Sequence, residues 1–581
     1  MRIGSLLAAI AVVALNSTGA SAIADHHQSW VGRFDRPQQG FAPASTVLRD
    51  GRPADVGLDA EPIRAAERFL ASWTRDDPAT GHPHFSGAVG LLAHDGVVVE
   101  RYAVGGAVRY ADAAGTELPA DQQVPMRTDT IFDLASITKL FTSIAVMQLV
   151  ERGSIDLDAP VARYLPEFAA NGKQAVTVRQ LLTHTSGLDA DPVPSLWQGY
   201  PDVPSRRKAV LDSPLEDAPG TTYRYSDINL MTLGFLVEQV TGSTLDTVVR
   251  DRITGPLGMV DTGFTPPAAK LERIAATEDE SIPPRGMLRG RVHDENAWAL
   301  GGVSGHAGIF STAGDLAILA QTILDGGAYR GTRILRHDTV RAMLTDYNTA
   351  FPGDSHGLGF ELDQMFYMGG LSSPETAGHT GFTGTTVVID PVSRSIAILL
   401  TNRVHPTRGW GSINLAREKW ATALARALAV RPVVGPDAWS SEIGDLDTAT
   451  LTTPPLSPRG PARVRFAAFV DTESTDPLIL ESSTDGISWR PVAVRAWGPG
   501  APDGPATELS GHGHRSWWRV TAELPAPGQV ILRWRYTTDP SSTGRGVSVD
   551  GVEITSTNGL LVDFEHDPSS LSATGWTLRS R

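Results

Sequence analysis

Six prolines, Pro432, Pro436, Pro454, Pro455, Pro458 and Pro461, fall between Val430 and Ala462. Proline fixes φ and removes a backbone donor, so neither a helix nor a central strand runs easily through such a stretch. The chain is expected to divide there. Beyond it the apolar pattern has period 2. Val464, Phe466 and Ala468 alternate with Arg463, Arg465 and Ala467, and Val530, Leu532, Trp534 and Tyr536 alternate with Ile531, Arg533 and Arg535. Thr484-Asp485-Gly486 and Asp550-Gly551 supply turns. Short alternating strands with such turns predict an antiparallel β-sandwich.

Before the prolines the texture is mixed. Apolar runs flank His94-Asp95-Gly96 within 87–101, a hairpin signal, and 384–402 again reads strand, turn, strand. Between them, 136–152, 227–241 and 312–326 read as helices, the last opened by Thr312 as N-cap with Asp315 in the first turn. Strands at both ends with helices between predict an α+β fold. No internal repeat is visible.

Composition narrows the function. The 581 residues carry a net charge of -15, which argues against a nucleic-acid partner, because a polyanion needs a basic face. There is no cysteine, which excludes disulfides, thiol nucleophiles and thiolate metal sites. The histidine pairs 26/27, 82/84 and 512/514 lack zinc-site spacing and read as surface histidines. Arg2, the apolar run Leu6 to Leu15 and the small-x-small sites Ala20-Ser21-Ala22 and Ala22-Ile23-Ala24 read as a signal peptide over 1–24, the run being too short to span a bilayer. A secreted protein without stable membrane insertion is expected. The divisions that follow are 1–24 signal peptide, 25–54 N-terminal extension, 55–428 α+β domain, 429–455 linker and 456–581 sandwich.

Three short elements carry chemistry. Ser136 and Lys139, in Phe132-Asp-Leu-Ala-Ser-Ile-Thr-Lys139, stand one helical turn apart, so the amine reaches the hydroxyl it would activate. The helix behind them is apolar nearly all round and should be buried, so Lys139 needs a counter-charge or a depressed pKa. A second match to this spacing, Ser205-Arg-Arg-Lys208, has no apolar helix behind it and reads as a charged loop. Tyr225, in Tyr225-Ser226-Asp227, is either a core aromatic at a helix start or a general base whose pKa nearby cations lower. Gly378-His379-Thr380-Gly381-Phe382 enters an apolar strand, either as a plain hairpin entry or as a stretch placing the Phe382 amide as an oxyanion donor. His293-Asp-Glu-Asn296 lines the cleft or forms a polar surface loop.

Together these elements resemble the serine β-lactamase and penicillin-binding-protein family, nearest its class C, esterase and D-alanyl carboxypeptidase branch, with its order S-x-x-K, Y-x-N, [KH]-T-G. Leu181 to Leu188, Gly301 to Thr312 and Leu400-Thr-Asn-Arg403 agree, over about residues 55–428. The resemblance implies a β-lactamase-like transpeptidase fold, an antiparallel sheet flanked by helices with a helical subdomain. It implies an acyl-enzyme on Ser136, a base role shared by Lys139 and Tyr225, and an oxyanion hole from the Ser136 and Phe382 amides. His379, Thr380 and Gly381 would line the substrate, with His379 beside its carboxylate, and no cofactor is called for. Two departures stand out. Asp227 replaces the usual Asn and has no amide N–H to offer, and His379 replaces the commoner Lys. The expected activity is serine hydrolysis of an amide or ester, on peptidoglycan-derived peptide as a D-alanyl carboxypeptidase or muropeptide amidase. The alternatives are a carboxylesterase or lactone hydrolase, and a non-catalytic cell-surface or glycan-binding protein. The tail resembles the jelly-roll module of immune-inhibitor-A-type peptidases, through Phe469 to Glu473, Ser483 to Trp489 and Gly544 to Gly551, and such modules bind glycan or a cell surface or are structural. Asp471, Glu473 and Asp550 are its calcium candidates, with solvated turn acids as the plainer reading.

Overall fold

The computed structural model describes residues 32–524, 528–556 and 559–581, so the signal-peptide segment and His26/His27 lie outside it. The first region is built on one sheet ordered β1-β3-β2-β9-β8-β7-β6. Its strands are β1 (Arg49–Asp50), β2 (Gly87–His94), β3 (Val97–Val108), β6 (Glu361–Leu362), β7 (Ala377–Gly381), β8 (Thr385–Asp390) and β9 (Ser395–Thr401). All pairings are antiparallel except the short β1 edge. The expected hairpin at His94-Asp95-Gly96 is present, with positive φ at Asp95 (46°) and Gly96 (78°), as a two-residue turn between twisted strands requires.

Both sheet faces are covered, so β2, β8 and β9 are buried along their whole length. One face packs on α1 (Ala60–Trp73) and α6 (Asn414–Ala427) through Leu70, Trp420 and Leu424. The other faces the larger core holding α2 (Thr138–Glu151), α4 (Asp227–Thr241) and α5 (Ala313–Leu324). Helices occur where the periodicity predicts them, and Thr312 caps α5 by accepting the Asp315 amide at 3.1 Å. One reading needs correction. Ser205–Lys208 lies in α3 (Val203–Asp212), not in a loop. Asp202 caps this helix, and Pro204 sits in the first turn, where its missing N–H costs no helical bond.

The C-terminal region is all β, two facing sheets whose inner residues form a separate core around Trp518, Trp534 and Tyr536. The proline-rich stretch expected as linker over 429–455 instead contributes two strands, β10 (Ala438–Ser441) and β11 (Thr448–Thr452). The remaining long strands are β12 (Ala462–Asp471), β13 (Leu478–Ser483), β14 (Val494–Trp497), β15 (Trp517–Leu524), β16 (Ile531–Thr537), β17 (Gly546–Ser556), β18 (Ser572–Thr574) and β19 (Thr577–Arg579). One sheet runs β14-β15-β12-β17-β10-β19, the other β13-β16-β11-β18. The prolines flank β10 and β11 rather than interrupting them, so pairing survives.

The two regions meet through buried polar contacts. Arg515 pairs with Asp390 of β8 at 2.6 Å, both fully buried, and also donates to the Leu371 carbonyl. Arg545 donates to the Ala425 and Leu428 carbonyls, Phe34 packs on Phe469, and His512 bonds Asp363 at 2.8 Å. His512 is therefore an interface residue, and His82 and His84 stack on Trp410 and Trp73, so of these four histidines only His514 is exposed.

Candidate active site

Ser136 sits where a short strand becomes a helix. β4 (Phe132–Asp133) pairs with β5 (Ile309–Ser311), a tight turn covers Ala135–Ile137, and α2 follows. Ala135 has φ +47°, a strained value for a residue with a Cβ, and its amide donates to Asp133 Oδ1 at 2.9 Å. The other Asp133 oxygen accepts from the His293 amide at 2.7 Å, so one buried carboxylate holds the turn from both sides. Thr383 and Thr385 donate to the Asp133 and Leu134 carbonyls. A Cβ on Gly381 would lie 2.3 Å from the Leu134 carbonyl oxygen, so this glycine lets β7 press against the turn carrying Ser136.

Lys139 Nζ stands 2.9 Å from Ser136 Oγ, 2.7 Å from Asp227 Oδ1, 3.3 Å from the His306 carbonyl and 4.8 Å from the Tyr225 ring centre. The ammonium is fully buried. Burial alone would push its pKa down, but the charge of Asp227 and its contact with Tyr225 outweigh that and hold it above the ordinary lysine value. Lys139 thus takes the counter-charge that its place on a buried helix demands. Asp227 is the first residue of α4, where the helix dipole also favours its charge.

Tyr225 departs from expectation. Enclosure pushes its hydroxyl up to about 12, because Lys139 lowers it less than burial, with Asp227 and Glu361, raises it. Only one ammonium faces the phenol, since the neighbouring imidazoles are held neutral. His184 stacks on the Tyr225 ring at 4.7 Å, and burial pushes His184 well below its usual range and His356 to about 4.

Thr380 lines the cleft, and His379 beside it is fully buried, its ring centre 6.1 Å from that of Tyr225. Its Nδ1 pairs with the Thr380 carbonyl at 2.7 Å, and burial with the nearby Lys139 charge lowers its pKa to about 3. The cations that do line the cleft are Arg403 and Arg417, with Ser136, Tyr223, Tyr225, Glu361, Phe366, Thr380, Gly381 and Phe382. Arg417 Nη2 donates to the Gly381 carbonyl at 2.7 Å, and Arg403 Nε to the Phe382 carbonyl at 2.9 Å. Arg417, on α6, belongs to no motif; only its charge on a largely apolar helix marks it. Arg403 ends the Leu400-Thr-Asn-Arg stretch.

The His293–Asn296 segment supports the site rather than forming a polar surface loop. Asp294 pairs with His306 at 2.8 Å, the residue whose carbonyl accepts from Lys139, and the His293 ring stacks on Phe382. Asp191, near Asp227 and Asp294, is raised to about 6, by burial first and then by their charges. In the sandwich the calcium candidates separate. Asp471 accepts the Gly513 and Arg545 amides, and Asp550 the Val433, Val434 and Gly551 amides, so both are engaged in holding backbone, and only Glu473 stands among other carboxylates.

With this geometry in place, the family is fixed by residues 70–419, which match the Beta-lactamase family model, more than half the chain. The chain belongs to the beta-lactamase family. Its members are serine hydrolases, and so is this protein. An Escherichia coli K12 protein named "Putative D-alanyl-D-alanine carboxypeptidase" is 35% identical over 394 residues, 62% of this chain and 86% of its own length. A Salmonella typhi protein of the same name is 34% identical over 400 residues, 63% of this chain and 88% of its own length. Among solved structures, the hydrolase EstCE1, described as having promiscuous acyltransferase activity, aligns at TM-score 0.49 with 24% identity, over 63% of this chain and 99% of its own. A penicillin-binding protein homologue from Caulobacter crescentus aligns at 0.47 with 23% identity, over 64% and 99%. In this beta-lactamase-family chain the family match ends on α6, before the first strand of the sandwich begins.

Proposed function

We propose that this beta-lactamase-family hydrolase is a secreted carboxypeptidase acting on peptidoglycan-derived peptides that end in a free carboxylate. The observation that carries the reading is the pairing, in one cleft, of the Ser136–Lys139 contact at 2.9 Å with two guanidinium groups, Arg403 and Arg417. A C-terminal carboxylate suits a planar guanidinium donor. In this reading the base is the Lys139–Tyr225 pair after it has lost one proton to solvent: Ser136 Oγ attacks the carbonyl carbon of the scissile amide, and its proton passes to that pair. The Ser136 and Phe382 amides face the developing oxyanion. The proton then reaches the leaving amine, and water attacks the acyl-enzyme to release the peptide and restore Ser136.

Asp227 favours a second reading on the same site, ester or lactone hydrolysis, because it offers no amide donor to a peptide carbonyl. Matched D-alanyl-D-alanine peptides and p-nitrophenyl esters separate the two. The carboxypeptidase reading expects release of D-alanine that falls at least about tenfold in kcat/KM when the terminal carboxylate is amidated. Turnover of esters alone, indifferent to a terminal carboxylate, overturns it. The sandwich, in this reading a jelly-roll wall-binding module, presents Arg465, Arg495 and Arg519 beside the exposed Trp497 on adjoining strands, none paired with an acid among the described residues. That face suits an acidic glycan.

A further inference from the structure

The sandwich holds a second meeting of carboxylates, apart from the cleft. The connection 472–477, between β12 and β13, brings Glu473 and Asp476, and the connection 538–545, between β16 and β17, brings Asp539. Both connections cross from one sheet to the other. One oxygen from each carboxylate lies within 4.8 Å of the other two. Calcium binds oxygen at about 2.3–2.6 Å, so oxygens sharing one ion stand up to about 5 Å apart, and the observed spacing accepts it without rearrangement.

The hydrogen bonds present fix the two connections but do not satisfy the carboxylates. Asp476 Oδ1 accepts the Asp539 amide at 2.8 Å, Asp539 Oδ1 accepts the Ser541 amide and hydroxyl, and Glu473 Oε1 accepts Ser541 Oγ at 3.1 Å. Asp476 is fully buried, and its Oδ2 has no partner among the described residues. A buried carboxylate oxygen without a donor is costly. Asp445, on the turn between β10 and β11, adds a second buried oxygen without a partner, Oδ1, and the buried Tyr536 hydroxyl is a third such group. No lysine or arginine among the described residues forms an ion pair with Glu473, Asp476 or Asp539. The donors are all oxygen, which suits a hard cation and disfavours zinc. Glu473 and Asp539 are only half-buried, leaving room for water in the irregular coordination that calcium accepts and magnesium does not.

We propose that Glu473, Asp476 and Asp539 form a calcium site that ties the two sheet-crossing connections of the sandwich. A chain without cysteine has no disulfide to do this, and one divalent ion joins segments more than sixty residues apart in sequence.

The test uses the full-length protein, stripped with EDTA and dialysed. Calcium titration by calorimetry and terbium luminescence should show one site per chain. Calcium, but not equimolar magnesium, should raise the melting temperature by about 5 °C, since an ion that binds only the folded state stabilises it. Asp476→Asn and Asp539→Asn should each abolish the calcium response while melting in EDTA no lower than the parent. No binding at millimolar calcium, or an undiminished response in both variants, overturns the proposal. A parent protein whose melting temperature responds to no metal, beside an Asp476→Asn variant that melts higher, would show that the carboxylates share a proton instead, and overturns it as well.

Discussion

Beneath the cleft, Lys139 meets Asp227 at 2.7 Å and His306 meets Asp294 at 2.8 Å, whereas in the sandwich Glu473, Asp476 and Asp539 meet one another with no cationic side chain among the described residues paired to them. Both places put charge out of water. In the first the chain supplies its own counter-charges, so folding itself sets the charge state of the site. In the second the matching charge has to come from solution. Burial therefore yields an activated nucleophile at one site and an ion-dependent joint at the other, and the two should respond to different perturbations.

The widest separation is expected from Ser136→Ala. Ester hydrolysis should fall by at least about 10⁴-fold, as when other serine hydrolases lose their nucleophile, while the calcium response of melting is unchanged. Residual hydrolysis near the parent rate would break the assignment of the nucleophile. Next comes Arg515→Met, which strands Asp390 as an unpaired buried carboxylate. Chemical denaturation should show a loss of about 3–5 kcal/mol, largely recovered when Asp390→Leu is added. An additive double mutant would show that the pair is not one unit. Asp227→Asn sharpens the electrostatic half of the comparison. Removing a negative charge 2.7 Å from Lys139 disfavours the ammonium, so the rising limb of kcat/KM should move to lower pH by about one to three units. An unmoved pH profile would mean that Asp227 does not set the charge of Lys139.

The smallest effect belongs to His512. Its bond to Asp363 raises its pKa above the ordinary imidazole value. A group raised on folding contributes stability that is fully present below its unfolded pKa of about 6.5 and is lost as pH rises through the folded value. Partial exposure limits this to about 1 kcal/mol or less. Melting temperature followed through that window should decline in the parent and stay flatter in His512→Gln.

Much of the site was legible because its signals are local. Ser136 and Lys139 share a helical turn, Tyr225 and Asp227 open a helix whose apolar run ends at Gly242, and the glycines around His379 mark a strand held close to the nucleophile turn. Other features depend on what the chain meets across space. Arg417 reaches the cleft from α6, more than two hundred and fifty residues beyond Ser136, with no local pattern to mark it. The rise of Tyr225 follows from its burial, with Asp227 and Glu361 nearby, a property of packing. In the proline-rich stretch, residue type was read correctly but position was not, because prolines beside a strand leave its pairing intact.

The joint between Arg515 and Asp390 bears on how this molecule is to be cut. Asp390 ends a strand in the same sheet that braces the nucleophile turn, and its guanidinium partner arrives only after position 500. A protein trimmed to the length of its shorter homologues would keep every catalytic side chain and yet lose the guanidinium that pairs with Asp390.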